Sequence, residues 1–151
     1  MNHVIDSFRT RALDLAERVA WLPALAMRVA LGVTFVRTGW GKLHDLESLA
    51  RYFDSLGIPA AAVQAPVVAA VELVGGALLL AGFATRIVAL LLAGVMAVAL
   101  YTAIWPAAGG VPGLLRSLEL IYLVTLLHLA AHGAGAVSVD RLVPVSEGAN
   151  P

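Results

Sequence analysis

The apolar run APVVAAVELVGGALLLAGF holds one charged residue, Glu72, and no other charge lies between Asp54 and Arg86. The run is long enough for a transmembrane helix, which takes roughly 20 apolar residues. It lacks the alternation of a half-buried strand. In hydrocarbon the backbone must satisfy its own hydrogen bonds, which a helix does internally. A carboxyl group near the middle of such a helix costs roughly 2.5–3.5 kcal/mol on insertion-based scales. It therefore needs a partner, and groups of this kind often carry a function.

The rest of the chain agrees with a membrane class. It is 60% hydrophobic and 13% charged, with mean hydropathy +0.88, against about 25% charged residues in a soluble domain. A single soluble core of this length could not hide so much apolar surface, so one small integral membrane domain is expected. The zero net charge argues against a nucleic-acid partner. The absence of cysteine excludes disulfides, thiol redox chemistry, iron–sulfur clusters and cysteine-ligated zinc.

Spans are expected at about 24–41, 61–83, 87–105 and 114–134. Pro23 suits the start of the first. The turn signal Gly57-Ile58-Pro59 precedes the second, and Pro106 closes the third. The connection from Lys42 to Pro59 is long and polar. Leu46, Leu49, Phe53 and Leu56 share one helical face there, which predicts a short surface helix. Ahead of Trp21, residues Ile5, Phe8, Ala12, Leu15, Ala16 and Val19 recur at helical spacing. They read as an interfacial amphipathic helix, with a solvated leader as the alternative.

The fold expected is all-α: an integral membrane four-helix bundle with a short N-terminal interfacial helix and a surface helix between spans one and two. Its parts are an amphipathic segment over 1–22, the membrane domain over 23–135 and a tail over 136–151. With four spans both termini share a side, and that side holds Arg9, Arg11, Arg18, Arg86 and Arg141. Lys42, Arg51 and Arg116 fall opposite, so the positive-inside rule puts both termini in the cytoplasm. Trp21 and Trp105 then sit near opposite interfaces.

Helix rise allows depths to be compared. Glu72 falls roughly 15 Å below the outer interface. Arg28 and Arg37 flank that depth on span one. Glu72–Arg28 is the expected pair, with Arg37 as the competitor. Glu119 lies close to Arg37 in depth, so an Arg37–Glu119 pair would complete the set. These pairs either specify helix packing alone or line a polar pocket in which Glu72 binds a ligand head group or relays a proton. Lys42 and Arg37 would sit at the outer mouth of such a pocket, and Tyr101 could add a hydroxyl.

Other features are less specific. His128 and His132 share a face, but no carboxylate lies with them, so no metal is expected. His44 reads as a surface residue. Gly75, Gly76, Gly82, Ala77 and Ala81, with Ala89, Ala93 and Ala97, present small-residue surfaces that allow close helix contact. No phosphate loop, nucleophile motif or dinucleotide fingerprint occurs.

The ordered segments RVALGVTFVRTGWGKL, YFDSLGIP, VELVGGALLLAGFATR and IVALLLAGVMAVA closely resemble the DoxX family of small bacterial inner-membrane proteins. The matching positions are Arg28, Gly39, Lys42, Phe53, Gly57, Pro59, Glu72, Gly75, Gly76, Gly82 and Arg86. The resemblance covers about 24–134. It implies a multi-pass four-helix domain in the bacterial inner (plasma) membrane. The family takes its name from a subunit associated with a thiosulfate:quinone oxidoreductase, so a subunit or accessory of a membrane oxidoreductase system is implied. No self-contained catalytic motif supports an enzyme.

The polar intramembrane site expected on these grounds comprises Arg28, Arg37, Lys42, Glu72, Glu119 and Tyr101. No intrinsic cofactor is expected; a quinone is the candidate ligand, and any redox chemistry would belong to it or to a partner. Membrane lipid and a protein partner or second copy are the expected associations. The alternative is a non-enzymatic anchor or assembly factor whose Arg–Glu pairs are structural. A small permease is a weaker reading, since the chain shows no inverted repeat.

Overall fold

The computed structural model describes residues 19–142. The expected N-terminal amphipathic helix and most of the C-terminal tail fall on residues outside those described. Among the described residues the regular structure is all helical. The elements are α1 (Leu22–His44), α2 (Leu46–Ser55), α3 (Ala61–Ala81), α4 (Thr85–Ala107), α5 (Val111–Leu114) and α6 (Leu118–His132), followed by a 3₁₀ turn at Val139–Arg141. Two of these, α3 and α4, are long and apolar enough to cross a membrane; α6 is apolar but shorter.

Local chemistry explains the limits. Pro23 opens α1, where its missing N–H is no loss. Asp45 breaks the helix after His44, and its side chain caps α2 by accepting from Ser48 N at 3.1 Å. Gly82, at φ 68°, ends α3 two residues before the expected Phe83. Phe83 N donates to Leu78 O at 3.0 Å, satisfying an end carbonyl. Ser117 caps α6, which starts four residues after the expected Leu114.

The start of α4 is capped from a distance. The Asp140 carboxylate accepts from Ala84 N at 2.6 Å and Thr85 N at 3.0 Å. Ala84 adopts a left-handed conformation at φ 49°, uncommon for a residue with a Cβ. This remote cap starts α4 at Thr85, before the expected Ile87. The helix then widens into a π-turn at Leu100–Ile104, with Trp105 N donating to Leu100 O. Pro106 follows directly. It lacks an N–H and its ring clashes with the carbonyl four residues back, so the wider turn relieves a strain that a regular helix would carry.

In packing, α1 lies against α3, α3 against α4, and α4 against α6, while α2 covers the N-terminal part of α3. Phe35, Leu79, Leu92, Leu126 and Leu129 are buried between them. The α1–α3 contact is the tightest. A Cβ on Gly76 would lie 2.6 Å from Val36 N and 2.9 Å from Gly32 O. One on Gly39 would strike the backbone of Leu73, and one on Gly32 would lie 2.9 Å from Gly76 O. Only hydrogen at these positions lets the backbones meet, and this fixes how the two helices slide past each other. Of the small residues noted in the sequence, Gly75, Gly76, Gly82, Ala89 and Ala93 are buried, whereas Ala77, Ala81 and Ala97 face outward.

Candidate functional site

The glycine contacts set Gly39 level with Ala69–Leu73 and Gly32 level with Gly76–Leu80. In that register Thr38 and Lys42 of the α1 stripe Thr34, Thr38, Lys42 lie level with Glu72 and Val68 of the α3 stripe Gln64, Val68, Glu72. Each stripe repeats every four residues, so each lies on one helical face. Lys42 Nζ donates to Glu72 Oε1 at 2.6 Å. Glu72 is 1% exposed and Lys42 is 32% exposed. The second carboxylate oxygen of Glu72, Oε2, is buried and has no protein partner.

Both residues line a cavity of about 470 Å³. Its walls are Phe35 of α1, Met96 of α4 and Tyr122 of α6; the Phe35 and Tyr122 rings lie 6.1 Å apart. Leu49, Tyr52 and Phe53 of α2, with Leu56 just after it, form its roof. The π-turn of α4 brings Thr102, Ala103 and Ile104 to its edge. Glu119 also lines it from the first turn of α6, where the helix N-terminus favours a negative charge. The interior is thus largely apolar, with one ion pair and a few hydroxyls. That suits a ring-bearing or chain-bearing molecule with a polar head.

Three expected site residues belong here: Lys42, Glu72 and Glu119. The other three do not. Arg28 is buried, 1% exposed, but it does not pair with Glu72. Its guanidinium donates from Nε to Leu79 O at 2.9 Å and from Nη2 to Leu80 O at 3.1 Å. Its Nη1 donates to Ala134 O at 2.8 Å and Val137 O at 2.6 Å. Arg28 therefore closes the C-terminal end of α3 and ties it to the segment after α6. The register accounts for the error, because level helix ends would bring Arg28 near Glu72, whereas the glycine contacts bring it to Gly82.

Arg37 points outward and forms no ion pair among the described residues, so the Arg37–Glu119 pair is absent. Tyr101 is 79% exposed and turns away from the cavity. The His128 and His132 rings stack on the exposed face of α6, 4.1 Å between centroids. No group of three metal-ligating side chains occurs among the described residues. His44 is exposed, its Nδ1 2.8 Å from Trp40 O.

Thr34, Thr38, Gln64, Thr102 and Tyr122 are site residues the sequence reading passed over. The four-residue repeat shared by Thr34, Thr38 and Lys42 was the available signal for the first two. Thr102 had none, since the π-turn turns it in a way a regular helix does not.

Residues 24–105 match the profile of the DoxX family. The chain is 33% identical over 119 residues to a protein named "Inner membrane protein YqjF" from Escherichia coli (strain K12), covering 79% of this chain and 90% of that one. It is 34% identical over 121 residues to one named "Putative oxidoreductase CatD" from Bacillus subtilis (strain 168), covering 79% and 85% respectively. No solved structure matches the chain.

Proposed function

Because the chain belongs to the DoxX family, we propose that it is a multi-pass protein of the bacterial inner membrane and a subunit or accessory of a membrane oxidoreductase system. On this reading α1, α3, α4 and α6 are the four spans, and α2 caps the outer end. The outward faces support it. Val29 and Val33 of α1, Val67 and Val74 of α3, Leu90 and Leu91 of α4, and Val124 and Leu127 of α6 are all exposed apolar side chains. Such continuous apolar surface needs lipid or a partner to cover it. The relatives named for an inner membrane and an oxidoreductase support the location and the association. The excess of Lys and Arg on the side holding Arg86 and Arg141 supports cytoplasmic termini.

The cavity is the site of action on this reading, and it takes a quinone or a similar small ligand. One observation carries it: Glu72 Oε2 is buried at a cavity wall with no protein partner. A buried charged acceptor left without a hydrogen bond is costly, so a ligand that satisfies it gains affinity. The chain's residues would bind and orient. Lys42 holds the carboxylate from one side, Phe35 and Tyr122 flank the ring, and α2 roofs the cavity. The ligand or a partner protein supplies any redox chemistry.

Purification in mild detergent followed by mass spectrometry of bound small molecules tests the reading. A quinone that copurifies with the native chain and is lost from Glu72→Gln supports it. A stable protein that carries only phospholipid in both forms refutes it. The competing reading is a membrane anchor or assembly factor in which the pair only fixes packing, and the 2.6 Å contact itself favours it. Under that reading the exchanged pair Lys42→Glu/Glu72→Lys keeps function, because complementarity is all that matters.

A further inference from the structure

We infer that the cavity selects the reduced, hydroxyl-bearing form of a quinoid ring over the oxidised form; this rests on the cavity being a quinoid site. The observation behind it is which hydrogen-bonding capacity of the lining is already used. Paired with the Lys42 ammonium as a carboxylate, Glu72 accepts and does not donate. Its unpartnered Oε2 takes a hydrogen from whatever occupies the cavity, and a ligand that displaces water there must bring one.

The lining hydroxyls point the same way. Thr34 donates to Ala30 O at 2.8 Å, Thr38 to Phe35 O at 3.2 Å and Thr102 to Val98 O at 2.8 Å. Each has given its one hydrogen to its own helix and keeps only lone pairs for a ligand. The Gln64 amide nitrogen donates one hydrogen to Pro59 O at 2.7 Å, which leaves its carbonyl oxygen and a second amide hydrogen. Glu119 adds a second carboxylate to the lining. Lys42, Gln64, Tyr52 and Tyr122 retain hydrogens to give, and none of these four residues is buried as Glu72 is.

Among the described residues, the buried polar atom of the lining that lacks a partner is therefore an acceptor, Glu72 Oε2, and the lining carries one more formal negative charge than positive. A dihydroxy ring brings two donors to these acceptors. An oxidised ring brings only carbonyl lone pairs, which repel the carboxylate at Glu72 Oε2 and supply it no hydrogen. An anionic ligand meets the same repulsion.

Anaerobic isothermal titration of the full chain in phosphatidylethanolamine–phosphatidylglycerol nanodiscs tests this, with ubiquinol-1, ubiquinone-1 and the dimethyl ether of ubiquinol-1 as probes. The ether keeps the ring and its oxygens but removes both donors. Ubiquinol-1 is expected to bind about tenfold more tightly than either other probe, the scale of one hydrogen bond to a charged group. In Glu72→Gln the preference should shrink to about twofold or less. Should that variant fail to accumulate, Thr38→Val serves: ubiquinol-1 binding weakens while ubiquinone-1 binding stays constant. Saturable binding in which ubiquinone-1 or the ether equals ubiquinol-1 overturns the selectivity and leaves the quinoid site standing. No saturable binding of any probe by the folded wild-type chain overturns both.

Discussion

Lys42 Nζ lies 2.6 Å from Glu72 Oε1, and this contact joins the last turns of α1 to the middle of α3. One partner is almost fully buried and the other reaches the surface. Removing the exposed partner leaves an uncompensated carboxylate inside the helix bundle. Lys42→Met should therefore lower stability by about 1–3 kcal/mol, the scale of a buried polar group losing its hydrogen bond. The double variant Lys42→Met/Glu72→Leu should recover most of that loss, since apolar replacement of both partners is often neutral. Thermal unfolding of the three proteins in detergent measures the difference.

Arg28 is a clamp on carbonyl groups. Its bonds to Leu79, Leu80, Ala134 and Val137 run in several directions from one planar group. Lysine cannot reproduce them, because its donors radiate from a single atom. Arg28→Lys should lose nearly as much membrane-inserted protein as Arg28→Ala, measured by quantitative blotting of the membrane fraction. In molecules that do fold, probe affinity at the Lys42–Glu72 cavity should be unchanged.

The α1–α3 contact makes a prediction about glycine. Gly76→Ala places a methyl group 2.6 Å from Val36 N, so the helices must separate, at a cost of about 1–3 kcal/mol. Separation also lengthens the Lys42–Glu72 contact. Gly94 is helical with nothing within 4 Å of its virtual Cβ. Gly94→Ala should be neutral or stabilising by up to about 1 kcal/mol. Paired melting curves of the two variants separate a packing effect from a general glycine effect.

Asp140 caps α4 although it lies after α6. Asp140→Ala removes acceptors from Ala84 N and Thr85 N and should cost about 0.5–2 kcal/mol. Asp140→Asn keeps one side-chain oxygen and should lose less. Hydrogen exchange at the amides of Ala84 and Thr85 is the direct readout, and faster exchange is expected in both variants, more in the alanine one.

Part of this was open to reading along the chain. The start of α1 follows from Pro23, because that residue acts within one helical turn, whereas Gly82 ends α3 two residues before the expected Phe83. The start of α4 was misjudged, because its cap comes from Asp140 more than fifty residues away. Thr102 was invisible for a related reason: a π-turn shifts the face that each residue presents, and sequence periodicity assumes a constant 3.6 residues per turn. Tyr101 is an expectation from depth along the span alone, and depth does not say which way a side chain faces; it is 79% exposed.

The sequence alone determined that the chain is helical and apolar, and that Glu72, isolated in an apolar run, must find a counter-charge. Desolvation imposes that wherever the helix packs. Which cation answers depends on how far α1 slides along α3, at about 1.5 Å per residue. Composition cannot state that offset. It is decided where Gly32, Gly39 and Gly76 let the backbones touch. That contact brings Lys42 to Glu72, sends Arg28 to the end of α3, and leaves one carboxylate oxygen facing the cavity without a partner.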